Sequence, residues 1–116
     1  MEFHETNRFS EKGKKKIVLV DIDETICFYP GERRYDLAEP DYVNIAKINN
    51  LYDNGWHVVY WTARGSVSKK DYTEHTRKQL RRWGCKHHDL VTGTSPNPKP
   101  YFDLVIDDKS IRIEEL

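Results

Sequence analysis

The chain has 116 residues, of which 37% are hydrophobic, and its 19 Lys and Arg residues balance 19 Asp and Glu residues. This length allows one small domain with a core and excludes a second folded domain. The balanced charge gives no indication of a broadly basic or acidic surface. We therefore expect no membrane partner, and the composition does not favour a nucleic-acid partner.

The cysteines and the first sixteen residues indicate a cellular location. Cys27 and Cys85 are too few for a disulfide framework or a thiolate zinc site, so we interpret both as free thiols. Residues 1–16 are polar and lack periodicity, which predicts a flexible tail, and they lack the apolar stretch of a signal peptide. We expect a cytoplasmic protein whose domain spans residues 17–116.

The first predicted element is a strand. Residues 17–22 form a short apolar run, which is typical of a strand buried on both faces of a parallel sheet. Residues 26–39 are irregular. A helix is predicted from about 40 to 54, with Pro40 as its first residue and Gly55 at its end.

In the second half of the chain a predicted strand is again followed by a predicted helix. Residues 57–61 are rich in β-forming side chains and predict a second strand. Ser68 and Asp71 have the spacing of a capping box, which predicts a second helix that ends before Gly84. Strands that alternate with helices predict right-handed βαβ units around a parallel sheet. Two further strands are predicted at residues 88–92 and 103–106.

Acidic side chains follow the first and last predicted strands. Asp21 and Asp23 can lean to the same side because strand side chains alternate, and Asp107 and Asp108 end the last strand. The carboxyl ends of parallel strands meet at one edge of a sheet, where ligands bind. Mg²⁺ prefers such oxygen ligands and would relieve the repulsion between these carboxylates. A magnesium site of this kind predicts chemistry on a phosphate group.

Other residues of the sequence are candidates for holding a phosphate group. Thr62 offers a hydroxyl, Ala63 lies where backbone amides follow the strand, and Lys99 offers a compact positive charge. Arginine suits the anionic oxygens of a substrate. Further candidates for contacts to the substrate are Thr25, Arg33, Arg34 and Arg64.

Together these residues resemble a known family. The haloacid-dehalogenase-like (HAD) phosphohydrolase superfamily has four motifs, and counterparts occur here in the same order between residue 17 and about residue 110. They are Asp21-x-Asp23-x-Thr25, a hydrophobic strand ending in Thr62, Lys99, and a hydrophobic strand ending in Asp107-Asp108. The resemblance implies a three-layer α/β/α Rossmann-like parallel sheet and a Mg²⁺-dependent phosphatase.

The resemblance also implies a role for each acidic residue. Asp21 would attack phosphorus to give an aspartyl-phosphate intermediate. Asp23 would protonate the leaving oxygen and then deprotonate the water that hydrolyses the intermediate. Mg²⁺ would be held by Asp21, by the backbone carbonyl of Asp23 and by the pair Asp107 and Asp108, with the direct ligand of that pair left open.

The sequence leaves no room for the cap domain that many members of this superfamily carry. Residues 26–39 provide only a small flap, and residues 66–98 hold one helix, one strand and a loop. An open site predicts either a large substrate or a lid from a second copy in a homo-oligomer. The stretches YDLAEP, KPYFD and IDDKS resemble small bacterial or phage phosphatases of sugar-phosphate or capsule biosynthesis, so a phosphorylated small molecule is the expected substrate.

Two sets of alternatives stay open at this stage. Polynucleotide-end phosphatases and protein phosphatases of the same superfamily are also capless. From another class, a non-enzymatic module for phospho-aspartate signalling or assembly would use similar residues. Receiver domains place their acidic pair first and the phospho-acceptor in the middle of the chain. The order found here favours the enzyme.

Overall fold

The fold is α/β, as seen in a computed structural model that describes residues 16–96 and 101–107. In chain order the elements are β1 (Ile17–Asp21), β2 (Cys27–Phe28), a 3-10 helix (Tyr35–Leu37), β3 (Glu39–Pro40), α1 (Tyr42–Asp53), β4 (His57–Trp61), α2 (Thr73–Arg82), β5 (Asp89–Val91) and β6 (Leu104–Ile106). The predicted tail, except Lys16, and the candidates Lys99 and Asp108 lie outside the described residues.

Four parallel strands form the sheet, in the order β5-β4-β1-β6, and this confirms the predicted class. The chain passes through α1 from β1 to β4 and through α2 from β4 to β5, moving in one direction across the sheet. Right-handed crossovers in one direction place both helices on the same face. Accordingly, residues of both helices share one core cluster. The second helical layer of the predicted α/β/α arrangement has no helix within the described ranges.

β1 is the central strand, and its side chains alternate between the two faces. Val18 and Val20 pack in the cluster under the helices, whereas Leu19 packs with Val59 on the opposite face. All four are at most 2% exposed, which confirms the prediction of a strand buried on both faces. No helix of the described part is long and apolar enough to span a bilayer.

The start of α1 differs from the prediction. Pro40 belongs to β3, where it pairs with Cys27, and the helix begins two residues later. Asp41 is the N-cap, and its carboxylate accepts a hydrogen bond from the backbone N–H of Asn44 at 3.0 Å. A side-chain oxygen that satisfies an unpaired N–H of the first turn defines the boundary better than the fixed φ of proline.

The predicted capping box of the second helix is wrong. α2 starts at Thr73, and its N-cap, Tyr72, makes no side-chain cap hydrogen bond. Ser68 Oγ instead accepts from Lys70 N at 3.2 Å, and Asp71 Oδ1 accepts from Thr73 N at 2.9 Å. Both polar residues satisfy local turns before the helix, which is the alternative use of Ser and Asp side chains.

Gly65 lies in the loop after β4 at a φ of +89°, and a Cβ there would overlap the carbonyl oxygen of Lys70. Gly65→Ala is expected to lower the free energy of unfolding by at least about 1–2 kcal/mol, the usual cost of left-handed backbone for a non-glycine residue. Chemical denaturation measures this loss. The matched control is Gly31→Ala, because a Cβ at Gly31 meets nothing within 4 Å. Equal stability of the two variants would contradict the assignment.

Candidate functional site

A cavity of about 880 Å³ opens at the carboxyl ends of β1 and β4. One wall comes from the flap, residues 26–39, and the other from the β4 loop, residues 62–72. Right-handed βαβ connections bring these segments together, because the loops that follow parallel strands all leave the same edge of the sheet. The lining includes Asp21, Asp23, Arg33, Tyr35, Ala63 and Lys70.

Asp21 and Asp107 stand side by side at this edge. Val20 pairs with Ile106, so the next residue of each strand lies at the same level, with about 4.8 Å between neighbouring strands. Asp21 Oδ1 accepts from Ile22 N at 3.0 Å. Two adjacent carboxylates fit Mg²⁺, which takes oxygen ligands and keeps several waters. Within residues 16–96 and 101–107, no group of three His, Cys, Asp or Glu side chains could hold a metal ion.

Asp23 lines the cavity together with Asp21, and four side chains donate hydrogen bonds to its carboxylate. The longest of these contacts runs from Cys27 Sγ to Oδ1 at 3.7 Å. Tyr29 donates its hydroxyl to Oδ1 at 2.5 Å, and Thr62 donates its hydroxyl to Oδ2 at 2.9 Å. Arg64 forms a two-point contact, from Nε to Oδ2 at 3.2 Å and from Nη2 to Oδ1 at 2.9 Å. Such paired contacts fix both the position and the charge of a carboxylate.

Arg64 is itself buried, with 1% of its surface exposed. Its Nη1 donates to Gln79 Oε1 at 2.6 Å and to Thr76 Oγ1 at 3.2 Å, and its guanidinium carbon lies 4.6 Å from the centre of the Tyr35 ring. These contacts occupy the guanidinium on all sides. Arg64 therefore holds Asp23 in place, and its role as a contact to the leaving group is not supported by this geometry.

The charge of Asp23 follows from these contacts. Burial alone would raise the pKa of Asp23, but the Arg64 guanidinium and the hydroxyls of Tyr29 and Thr62 outweigh it and hold the pKa below the ordinary 3.8. Arg64 also stays protonated: burial lowers its pKa, but Asp23, together with Tyr29 and Cys27, raises the pKa by more. Asp23 is therefore ionised at neutral pH.

This ionisation predicts a loss of stability in acid. Because the pKa of Asp23 is lower in the folded chain than in the unfolded chain, its stabilising effect is complete above about pH 3.8 and is lost as the pH falls toward the folded value. Denaturation at about pH 5 and about pH 3 is expected to show a smaller decrease for Asp23→Asn than for the parent chain. Asp53→Asn, on the surface, should keep the full decrease; equal decreases in all three would contradict this assignment.

The other sequence candidates are not all brought to the cavity. Ala63 is exposed and lines it, and Arg33 and Arg34 lie on the flap wall. Thr62 is 1% exposed, and its hydroxyl is committed to Asp23 rather than turned toward the cavity. Thr25 is completely buried, and its hydroxyl has no hydrogen-bond partner among the described residues, so a contact to substrate is not supported there.

Several residues of the site were not identified from the sequence. Thr76 and Gln79 are polar residues on the buried face of α2, and that pattern was the available signal, because a buried polar pair needs a polar partner. Tyr29 and Tyr35 gave no signal, since their partners are distant along the chain. The β4 loop contributes Lys70 to the cavity.

Comparisons with known proteins bear on the fold alone. No protein-family model matches the chain, and no curated protein matches it. The chain is similar to a crystal structure of an MCSG target from Vibrio cholerae, with a TM-score of 0.65 and 18% sequence identity, over 86% of this chain and 85% of that chain. A likeness at this identity shows a shared fold, because activity depends on the particular site residues. The α/β fold with its parallel sheet is compatible with a Rossmann-like arrangement.

Proposed function

We propose that the chain is a magnesium-dependent phosphomonoester hydrolase that forms an aspartyl-phosphate intermediate on Asp21. The observation that carries the proposal is the position of Asp21, at the end of the central strand, beside Asp107 and on the cavity. A carboxylate oxygen of Asp21 forms a bond to phosphorus as the ester P–O bond breaks. Water then attacks phosphorus, which releases inorganic phosphate and restores Asp21.

Asp23 acts as the general acid in the first half-reaction and as the general base in the second. Its ionised form is the general base that accepts a proton from the attacking water. For the first half-reaction it has to carry a proton to the leaving oxygen. A phosphate dianion bound beside it is a like charge, and like charges raise the pKa of a carboxyl group. Substrate binding is thus expected to supply the protonated form.

The residues present fit Mg²⁺. Asp21, Asp107 and the backbone carbonyl of Asp23 would hold it, with Asp108 assigned to the same group by the family resemblance. When bound, Mg²⁺ neutralises charge on the phosphoryl oxygens. Thr62 and Arg64 position Asp23, and the amides of the β4 loop at Ala63 together with Lys99 are assigned to the phosphate oxygens.

The rest of the proposal follows the family resemblance. The domain is a capless member of the HAD-like superfamily with a three-layer α/β/α sheet, and its substrate is a small phosphorylated molecule such as a sugar phosphate. A second copy would cover the open mouth in a homo-oligomer. Cys27 and Cys85 are both free and buried, which supports a reducing, cytoplasmic location.

The decisive experiment measures phosphate release from 4-nitrophenyl phosphate by the purified chain, with Mg²⁺ and after chelation. Turnover with Mg²⁺ that stops on chelation and resumes on readdition is expected. Rapid acid quench followed by hydroxylamine should trap the acyl phosphate, and peptide mapping should locate it at Asp21. A stable phosphoprotein without turnover would indicate the signalling alternative, and the absence of both would overturn the proposal.

A further inference from the structure

The cavity above Asp21 has charged walls that the proposed chemistry does not use. In phosphoryl transfer the attacking and leaving oxygens lie roughly in line, so the leaving group points away from Asp21. It therefore extends between the two walls of the cavity. The flap contributes Arg33 and Arg34 to these walls, and the β4 loop contributes Lys70.

Two of the cations on the cavity have a carboxylate partner at 3.1 Å or less. Arg64 is paired with Asp23, and Arg34 lies 3.1 Å from Asp36. Lys70 has no carboxylate partner among residues 16–96 and 101–107, and its ammonium lies 5.3 Å from the centre of the Tyr72 ring. A contact to a ring face directs this ammonium without neutralising it.

Arg33 is only weakly neutralised on the opposite wall. Its Nη2 lies 3.5 Å from Glu24, and both side chains are about half exposed, so water screens this pair. Its guanidinium carbon lies 5.2 Å from the Tyr29 ring, the same ring whose hydroxyl donates to Asp23. Arg33 is thus held near the proton-transfer residue while keeping capacity for another anion.

The pKa of His75 indicates that the electrostatic potential on this side of the cavity is positive. Burial lowers the pKa of His75, and the positive charges of Arg64, Arg82 and Lys70 lower it further, against the opposing effect of Asp36. Its Nδ1 is buried and has no hydrogen-bond partner among the described residues. The ring lines the cavity, so a ligand has both positive charge and a neutral imidazole to contact.

The fold fixes Lys70 at this place. Lys69 N donates to the carbonyl of Gly65 at 2.8 Å, and the left-handed backbone of Gly65 and Lys69 turns the loop back on itself. Lys70 N then donates to Ser68 Oγ. Because these bonds determine the loop backbone, Lys70 extends from an ordered turn.

We propose that the physiological substrate carries a second anionic group on its leaving group, a carboxylate or a second phosphate, and that Lys70 and Arg33 bind it. This inference rests on the proposed phosphatase function. A lysine ammonium is a compact charge that suits either anion, and the guanidinium of arginine suits their paired oxygens. A carboxylate and a phosphate would bind these two cations in the same way, so matched pairs of substrates are needed to distinguish them.

The test compares substrates that differ in one group. 6-Phosphogluconate and sorbitol 6-phosphate differ only by a carboxylate in place of a hydroxymethyl group, and fructose 1,6-bisphosphate and fructose 6-phosphate differ by a phosphate. The ratio of kcat/KM within at least one pair is expected to be about tenfold or more in favour of the extra anion. Which pair shows it identifies the anion. Ratios near one in both pairs would overturn the inference.

Variants of the β4 loop test whether Lys70 causes the preference for the extra anion. Lys70→Gln is expected to reduce the favoured ratio by about fivefold or more, because it removes the unneutralised charge and keeps a polar side chain of nearly the same length. Lys69→Gln is the matched control, since Lys69 precedes it in the same turn but does not line the cavity. Equal ratios in both variants would remove Lys70 from the site.

The failure of this inference is distinguishable from the failure of the proposed function. If 4-nitrophenyl phosphate is hydrolysed and the kcat/KM ratios within both substrate pairs are near one, the proposed second anion is rejected and the proposed phosphatase function stands. If no phosphate ester is hydrolysed, calorimetric titration of the chain with 6-phosphogluconate and sorbitol 6-phosphate decides the point. Fructose 1,6-bisphosphate and fructose 6-phosphate are titrated in the same way. Tighter binding of the substrate with the extra anion in either pair, lost in Lys70→Gln, would support the subsite without the reaction, and equal binding within both pairs would reject it.

Discussion

Replacing Arg64 by methionine is expected to lower the free energy of unfolding by about 3–5 kcal/mol, the usual cost of removing one partner from a buried ion pair. The side chain of Arg64 has no exposure, and that of Asp23 is 11% exposed. The substitution leaves the Asp23 charge without its partner and deprives Gln79 of a 2.6 Å hydrogen bond. Methionine has a similar length, so a large cavity is not the cause.

Denaturant unfolding of Arg64→Met beside Arg81→Met measures this loss. Arg81 is exposed on α2, so its replacement is expected to change stability by no more than about 0.5 kcal/mol. Adding Asp23→Asn to Arg64→Met should recover part of the loss, because the double variant no longer holds an uncompensated charge. If the double variant is as unstable as the sum of the single variants, the two residues do not act as a pair.

Sequence patterns predicted those parts of the fold that depend on neighbouring residues. The apolar run that forms β1 and the β-forming run at residues 57–61 both became strands, because β-branched and aromatic side chains suit a buried sheet. Helix starts were less predictable. Asp41 and Pro40 are adjacent and both are common at helix starts, and the choice between them depends on the pairing of Pro40 with Cys27.

The candidate site was predictable to the level of which residues gather at the sheet edge. Asp21, Asp23 and Ala63 line one cavity because they lie at, or just after, the ends of parallel strands. What each side chain contacts was not predictable. Arginine is usually a surface residue, so the sequence did not indicate that Arg64 is buried. Arg64 is buried beside Asp23 because α2 packs over it and places Thr76 and Gln79 against its guanidinium.

Asp21→Asn is expected to lower kcat for 4-nitrophenyl phosphate by at least about 10³-fold, because a neutral amide is a poor nucleophile and the two-step route is lost. Its stability should change little, since asparagine keeps the side-chain oxygen that accepts the hydrogen bond from Ile22 N. Asp53→Asn is the matched control: it makes the same chemical change at a surface residue paired with Lys86 and should retain full activity. Activity of Asp21→Asn close to that of the control would exclude Asp21 as the nucleophile.

Asp23→Asn separates the two half-reactions, because its effect should depend on the leaving group. 4-Nitrophenolate departs without a proton, so this variant should still transfer phosphate to Asp21, giving a burst of about one product per site and then slow turnover for lack of the general base. A sugar phosphate has an alkoxide leaving group that needs the proton, so no burst is expected with it. A burst of equal size from both substrates would mean that Asp23 does not donate the proton. Loss of both bursts in a folded variant would instead place the charge of Asp23 in the first step.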